Sequence, residues 1–187
     1  MDAPCGCVID FDDCLAWIRN REELLRLFAQ DILPLRRVAR IYRAVRDSAG
    51  FSFENMADAV QEAAPGFNRE KAELAFKRWL ASALKLYRDV LPFARSIQAR
   101  HIPFIILTSG ERRYQEEKVR RSGVMFDELV TVKDPDEKID KLQEILRRHG
   151  HPILYIDDKA RTLDAVQRAL GYKVITVRVV RGPYQHL

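Results

Sequence analysis

The chain has 187 residues, of which 47% are apolar, so it is long enough to bury a substantial core and too apolar for a disordered chain. Lys and Arg number 32 and Asp and Glu 27, a formal net charge of +5. The basic residues are spread along helical patterns beside acidic ones, without a basic tail, so we do not expect nucleic acid binding.

The start of the chain favours a cytoplasmic location. No stretch approaches the roughly 20 apolar residues of a membrane span, and the first residues have neither the basic lead nor the apolar core of a secretion signal. Cys5, Cys7 and Cys14 all lie within the first fourteen residues, where they could not form a disulfide framework spanning the fold. We therefore expect a soluble protein with free thiols and no contact with a membrane.

Five short, continuous apolar runs are typical of buried parallel strands. In chain order they are residues 7–10, 104–107, 129–132, 153–156 and 173–177. Helical patterns separate the later runs, at residues 111–122, 138–148 and 162–170, and a glycine lies just past each pattern. The alternation predicts an α/β fold: a doubly wound, Rossmann-like parallel sheet of five strands with helices on both faces.

The gap between the first and second strands predicts an insertion, because a simple strand–helix–strand unit needs only about 30 residues. Residues 18–87 contain two apolar stripes with helical spacing. The stripes are Leu35, Val38, Ala39, Tyr42 and Val45, followed by Ala72, Phe76, Trp79, Ala83 and Tyr87. Asn68 is a candidate cap for the second helix. We expect residues 1–17 and 88–187 to form the core and residues 18–87 to form an inserted helical subdomain.

Polar residues lie at the ends of three of the predicted strands, at the sheet edge where parallel sheets bind ligands. They are Asp10, Asp12 and Asp13 at the end of the first strand, Thr108, Ser109 and Gly110 at the end of the second, and Asp157 and Asp158 at the end of the fourth. Carboxylates crowded together repel one another unless a cation offsets their charge. Because oxygen ligands suit a hard divalent ion, we expect Mg²⁺ at this edge.

These segments resemble the four ordered motifs of the haloacid dehalogenase-like superfamily. The run VIDFDDC, residues 8–14, resembles the first motif, Asp-x-Asp-x-Thr after an apolar strand, and FIILTSG, residues 104–110, resembles the second. Lys138 is similar to the third motif, and ILYIDD, residues 153–158, to the acidic fourth. The resemblance implies a hydrolase, in particular a phosphatase of phosphoric monoesters, with residues 18–87 as its helical cap.

The resemblance also implies the catalytic roles. Asp10 would attack phosphorus and form an aspartyl phosphate, and Asp12 would protonate the leaving oxygen and then activate water. In a strand, side chains at i and i+2 point the same way, which would bring Asp10 and Asp12 together. Lys138 would neutralise the developing charge, with Lys133 and Lys141 as rivals for this role.

The remaining site residues would hold phosphate and metal. Thr108, Ser109 and Gly110 would bind phosphate oxygens at a helix start, with the loop acid Asp13 close by. Asp10 and the backbone carbonyl of Asp12 would bind the metal together with a carboxylate of the fourth motif. Asp158 is our first choice for that carboxylate, and Asp157 is the second.

Three questions stay open from the sequence. A phosphomutase or phosphotransferase would share Asp10 and Asp12. A catalytically silent, phosphate-binding regulatory module would bind phosphate without converting a substrate. Cys14 stands where the family usually has Thr, and a thiol donates hydrogen bonds more weakly and is open to oxidation. A cap of about 70 residues favours a small phosphorylated substrate, whereas substrate identity and oligomeric state are not predicted.

Overall fold

A computed structural model describes residues 4–48 and 50–181 of the protein. Within these residues, seven strands and eight α-helices follow one another, and two short 3-10 helices lie at Pro135–Glu137 and Gly171–Lys173. The elements are β1 (Gly6–Ile9), β2 (Ala16–Ile18), α1 (Arg21–Ala29), α2 (Leu35–Ser48), α3 (Phe53–Ala63), α4 (Arg69–Ala83), β3 (Leu84–Leu86), α5 (Val90–Ala99), β4 (Phe104–Ser109), α6 (Arg112–Ser122), β5 (Glu128–Val132), α7 (Lys138–His149), β6 (Ile153–Asp157), α8 (Ala160–Leu170) and β7 (Val174–Arg178).

The main sheet has the order β5-β4-β1-β6-β7, and all of its strands are parallel. At the centre, Val8 of β1 lies opposite Ile105 of β4 and Tyr155 of β6. The chain builds outward from β1 through β4 to β5, then crosses to β6 and β7 on the other side. The direction of winding therefore reverses beside β1, at the position where open α/β sheets bind ligands.

Helices cover both faces of this sheet, so the predicted fold class is confirmed. Leu142 of α7 and Leu163 of α8 pack in one cluster with Val8, Ile105 and Tyr155. Neighbouring strand residues point to opposite faces. Phe104, next to Ile105, accordingly packs against Phe93 of α5, with ring centroids 6.1 Å apart.

The predicted strands and observed strands differ at their ends, and these differences matter for the site. β1 ends at Ile9, so Asp10 is the first residue beyond it. β4 continues through Thr108 and Ser109. β6 includes Asp157 as its last residue. Two short strands that were not predicted, β2 and β3, pair with each other in a separate sheet.

The chain divides into two compact units. The first contains the residues up to Trp17, Leu86–Ser109 and those from Ser122 onward, and the second contains Ile18–Lys85 and Gly110–Arg121. Helix α6 lies between β4 and β5 in the sequence, yet it belongs to the same compact unit as the inserted segment. The role of residues 18–87 as a cap, with residues 1–17 and 88–187 as the core, stays a prediction.

Aromatic side chains build the interior of the second unit. Phe28 lies at the centre, with its ring centroid 5.6 Å from that of Phe53, 6.2 Å from that of Phe67 and 6.5 Å from that of Phe76. Trp79 packs on Phe76 at 5.7 Å. These contacts join α1, α3 and α4 around one apolar cluster.

The predicted helical stripes of the insertion lie in α2 and α4, with one exception. Asn68 caps α4 as predicted, because its side chain accepts a hydrogen bond from the Lys71 amide at 2.9 Å. The extension of the second stripe to Tyr87 is wrong, since α4 ends at Ala83 and β3 follows.

Within residues 4–48 and 50–181, no helix combines the length and apolar character that a membrane span requires.

Candidate active site

Four charged side chains meet at the carboxyl edge of the sheet. Asp10 follows β1, Asp157 ends the adjacent β6, Asp158 comes next, and Lys138 is the first residue of α7. Each is at most 1% exposed to solvent. Charged side chains are rarely buried this deeply unless they are paired or functional.

Lys138 forms the bridge within this cluster. Its Nζ lies 3.2 Å from Asp10 Oδ1 and 2.9 Å from Asp157 Oδ2. Burial alone lowers the pKa of Lys138, but the two carboxylates outweigh it and raise the pKa above its ordinary value. Lys138 therefore remains a cation between two acids. Of its rivals, Lys133 is exposed and Lys141 pairs with Glu144 at 2.9 Å.

Asp157 has donors on both of its oxygens. Its Oδ2 accepts from Lys138 and from the Tyr155 hydroxyl, whose oxygen lies 2.5 Å away, and its Oδ1 accepts from the Lys159 amide at 2.9 Å. Burial raises the pKa of Asp157, yet the charge of Lys138 and these hydrogen bonds lower it below its usual range. Asp157 is thus a fixed anion that orients Lys138.

Asp158 contrasts with its neighbour. Among the residues that the structure describes, neither of its buried oxygens has a hydrogen-bond partner. Burial, followed by the negative charge of Asp10, raises the pKa of Asp158 to about 7. A buried carboxylate without a partner is costly, and a bound cation would remove that cost.

The cluster fits a divalent cation. One oxygen from each of Asp10, Asp157 and Asp158 lies within 4.8 Å of the other two. The three carboxylates outnumber the two lysines, Lys138 and Lys159, whose charges act on Asp10, and desolvation raises the pKa of Asp10 although both lysines oppose it. An all-oxygen donor set with excess negative charge is the kind of site that Mg²⁺ prefers.

The loop after β1 places Asp12 and Asp13 differently from the expectation. Because β1 ends at Ile9, the argument from strand geometry, that Asp10 and Asp12 point the same way, does not apply. Asp12 instead forms an isolated bridge with Ala16. Asp13 adopts a left-handed conformation with φ of 58°, and its amide donates to the Ala16 carbonyl at 2.7 Å. That amide is therefore already used within the loop.

Thr108 and Ser109 end β4, which neighbours β1 in the sheet. Thr108 is fully buried, and Ser109 is partly exposed. Their strand position brings them to the same sheet edge as Asp10. Their predicted role as phosphate ligands stays a prediction.

Gly110 belongs to the second unit. Its φ is 141°, a conformation that residues with a side chain rarely adopt, and a Cβ there would lie 2.6 Å from Gln115 Nε2, so Gln115 would have to move. At the start of α6, the Glu111 carboxylate accepts from the Tyr114 amide at 2.8 Å. An acidic side chain thus already uses one amide of the helix start that was predicted to bind phosphate.

Two contacts were not anticipated from the sequence. Tyr155 lies two positions before Asp157 in one strand, a spacing that predicts a shared face, and the Lys159 amide follows the acidic pair directly.

Cys14 is fully buried, and burial together with the charge of Asp10 raises its pKa. A buried thiol held protonated is unreactive, which argues against oxidation as a control of activity.

Comparisons with known proteins agree with this geometry. The family model for haloacid dehalogenase-like hydrolases matches residues 7–177. Among curated proteins, the sequence has no significant match.

Solved structures of similar fold cover nearly the whole chain. A haloacid dehalogenase-like protein from Burkholderia xenovorans LB400 has a TM-score of 0.70 and 24% identity, covering 96% of this chain and 84% of that one. A haloacid dehalogenase-like family hydrolase from Xanthomonas campestris has a TM-score of 0.61 and 15% identity, with 98% and 86% covered.

A third structure contains ligands. This family enzyme from Bacteroides thetaiotaomicron, in complex with magnesium and inorganic phosphate, has a TM-score of 0.64 and 13% identity, covering 95% of this chain and 94% of that one. At such identities the structures establish the fold, whereas the family model covers all four motifs in order. The chain therefore belongs to the haloacid dehalogenase-like hydrolase family and is a hydrolase.

Proposed function

We propose that the protein is a magnesium-dependent phosphohydrolase that acts on a small phosphomonoester, with Asp10 as the nucleophile. The observation that carries this proposal is the buried pairing of Asp10 with Lys138 beside the Asp158 carboxylate, which has no hydrogen-bond partner among the described residues. Phosphoryl transfer depends mainly on positioning and on neutralising charge, and this cluster supplies both.

Asp10 is oriented for attack. Its Oδ1 accepts from the Phe11 amide at 2.9 Å and lies 3.2 Å from Lys138 Nζ. Both contacts are to Oδ1, so they fix the carboxylate without using Oδ2. In the first step, Oδ2 bonds to phosphorus, the bond from phosphorus to the ester oxygen breaks, and an aspartyl phosphate forms. Lys138 offsets the negative charge that gathers around Asp10.

Asp12 is the proposed acid and base. It would give its proton to the departing ester oxygen and, as a carboxylate, take one from the water that attacks the aspartyl phosphate. The bond from phosphorus to Asp10 then breaks, and inorganic phosphate leaves. Asp12 is only partly buried and lies on the loop after β1, which suits a group that gives a proton to the departing ester oxygen and takes one from water.

Asp10, Asp158 and the backbone carbonyl of Asp12 are the proposed ligands of Mg²⁺. The ion would supply positive charge to the phosphoryl oxygens and relieve the repulsion among the acids. Asp158 is favoured over Asp157, because Asp157 already accepts from three donors whereas Asp158 has none among the described residues. Asp157 instead keeps Lys138 in place.

The proposed residues for substrate binding come from the second motif, from the loop after β1 and from the inserted segment. Thr108 and Ser109, at the end of β4, are the proposed phosphate ligands of the first unit, with Gly110 and Asp13 as further candidates from the motifs. The second unit, containing residues 18–85, is the proposed cap that selects the substrate. The Bacteroides enzyme of the same fold was captured with magnesium and phosphate, the two ligands that the proposal requires here.

Release of phosphate from p-nitrophenyl phosphate, sugar phosphates and nucleotides tests the proposal. Turnover should need Mg²⁺, stop with EDTA and disappear in Asp10→Asn, while Lys141→Met, which changes a lysine that pairs with Glu144, should retain it. Transfer of the phosphoryl group to a sugar without release of phosphate would identify a phosphotransferase instead. Activity that survives Asp10→Asn would reject Asp10 as the nucleophile.

A further inference from the structure

We propose that Tyr155 is a positioning residue of the active site, whose hydroxyl fixes Asp157 and thereby holds Lys138 against Asp10. This inference rests on the proposed function and adds a residue to it. Tyr155 would not touch the substrate. It would act through two side chains in sequence, Asp157 and Lys138.

The hydrogen bond follows from strand geometry. Tyr155 and Asp157 are two positions apart in β6, so both side chains point to the face that α7 covers, where Lys138 begins the helix. Tyr155 is fully buried, and its hydroxyl oxygen lies 2.5 Å from Asp157 Oδ2. That distance is typical of a strong hydrogen bond from a hydroxyl to a charged carboxylate.

One oxygen links the residues. Asp157 Oδ2 accepts both from Tyr155 and from Lys138, while Oδ1 is held by the Lys159 amide. With three donors, the carboxylate has one orientation. The Lys138 ammonium that rests on it reaches Asp10 Oδ1 at 3.2 Å, close to the limit of direct contact. A small rotation of Asp157 would therefore move Lys138 away from the nucleophile.

Core packing alone does not require this hydroxyl. Tyr155 is surrounded by apolar side chains of the sheet and of α7 and α8, such as Val8, Leu142 and Val166. Phe would fill the same space without placing a polar group in the interior, where an unpaired hydroxyl would be costly. The hydroxyl is buried where the Asp157 carboxylate accepts its hydrogen bond.

The expected effect is on the chemical step. Loss of a residue that orients a group in direct contact with the reacting centre commonly costs about 10- to 100-fold in activity. For Tyr155→Phe we expect kcat to fall roughly tenfold. We expect KM to change less than about twofold, because the hydroxyl lies behind Asp157 and away from bound substrate.

The experiment compares wild type, Tyr155→Phe and the matched control Tyr172→Phe with p-nitrophenyl phosphate and saturating Mg²⁺. Tyr172 lies in the same unit, is 79% exposed and packs with its ring centroid 5.9 Å from that of His151, so loss of its hydroxyl should leave both kinetic constants unchanged. A fall in kcat confined to Tyr155→Phe, at constant KM, supports the positioning role. Equal kcat values for wild type and Tyr155→Phe overturn it.

A second measurement tests the contact without turnover. Urea unfolding of wild type, Tyr155→Phe, Asp157→Ala and the double variant gives a double-mutant cycle. Tyr155→Phe should lower the unfolding midpoint in the wild-type background and leave it nearly unchanged in Asp157→Ala. Additive effects would overturn the inference.

The two proposals fail in different ways. If the wild-type protein releases no phosphate from any substrate, the proposed function is rejected, and the positioning role is rejected with it. An active wild type with a fully active Tyr155→Phe rejects only the positioning role.

Discussion

The two compact units bury their polar side chains for different purposes. In the second unit, Ser52 is buried to cap α3 by accepting from the Asn55 amide at 3.1 Å, and Lys118 lies over the Tyr114 ring at 4.9 Å. In the first unit, three acids and one lysine are buried together at the end of the sheet. Ser52 completes a helix and so has a structural purpose, whereas the sheet-edge charges contact mainly one another.

This difference indicates where stability was given up for function. Removing each of these charges from water costs several kcal/mol, and the attraction within an ion pair rarely offsets the whole of that cost. For Asp158 no hydrogen bond offsets this cost, since neither of its oxygens has a hydrogen-bond partner among residues 4–48 and 50–181. Strongly perturbed acids clustered in this way are typical of catalytic sites. The comparison predicts that changes at the sheet edge alter activity, and changes in the second unit's interior alter stability.

The largest effect is expected for Asp10→Asn. An amide cannot form the acyl phosphate, so kcat should fall by at least about 1,000-fold, as for other nucleophile replacements. Initial rates of phosphate release measure the loss. Circular dichroism should show that the variant unfolds no earlier than wild type, because the substitution removes a buried acid. A fall of less than tenfold would break the distinction between the two units.

Phe28→Ala tests the other side of the comparison. Phe28 is fully buried among three aromatic rings, and its truncation should destabilise the protein by about 3 to 5 kcal/mol. Urea unfolding measures the change. The control Leu74→Ala, on α4 at a position that is 53% exposed, should cost less than about 1 kcal/mol. Equal costs would show that the aromatic cluster does not support the second unit.

Asp158→Asn should change how stability depends on pH in the absence of metal. A carboxyl with a raised pKa binds its proton more tightly in the folded protein than in the unfolded chain. Its contribution to stability is therefore full below the unfolded pKa of about 4 and is lost as the pH rises to about 7.

The measurement for Asp158 is urea unfolding in EDTA between pH 5 and pH 8, a range that covers most of the expected change. Wild type should lose up to about 3 kcal/mol relative to Asp158→Asn across this range. With Mg²⁺ added, wild type should regain stability and Asp158→Asn should gain little. Parallel pH profiles for the two proteins would contradict the burial of an unpaired carboxyl.

The smallest effect is expected for Ser52→Ala. Loss of this helix cap should destabilise the protein by about 1 kcal/mol and leave kcat unchanged. Thermal unfolding and the phosphatase assay on the same preparation measure the two quantities. A fall in kcat without loss of stability would mean that this buried polar group serves catalysis after all.

Much of the first unit could be predicted from the sequence. Buried parallel strands appear as continuous apolar runs, and each of the five predicted runs overlaps a strand of the main sheet. The boundaries were less accurate, because Asp10 follows its strand whereas Thr108 and Asp157 lie inside theirs. That error removed the geometric reason for pairing Asp10 with Asp12. β2 and β3, with three residues each, are too short to show a pattern.

The roles of Asp157 and Asp158 could not be separated from the sequence. The two residues are adjacent and chemically identical, and only the positions of donors from other elements distinguish them. Lys138 comes from α7 and Tyr155 from the preceding part of β6, and both point to Asp157. The spacing of Tyr155 and Asp157 was visible in the sequence, but an apolar strand gives no sign that one ring carries a functional hydroxyl.

The most direct test of the account is to trap the covalent intermediate. Wild type mixed with substrate and Mg²⁺ is quenched with acid within one turnover, digested and examined by mass spectrometry. The account predicts one phosphoryl group on the peptide that contains Asp10, and none on that peptide from Asp10→Asn. Rapid turnover with an unmodified Asp10 peptide, or with phosphate on another residue, would contradict it.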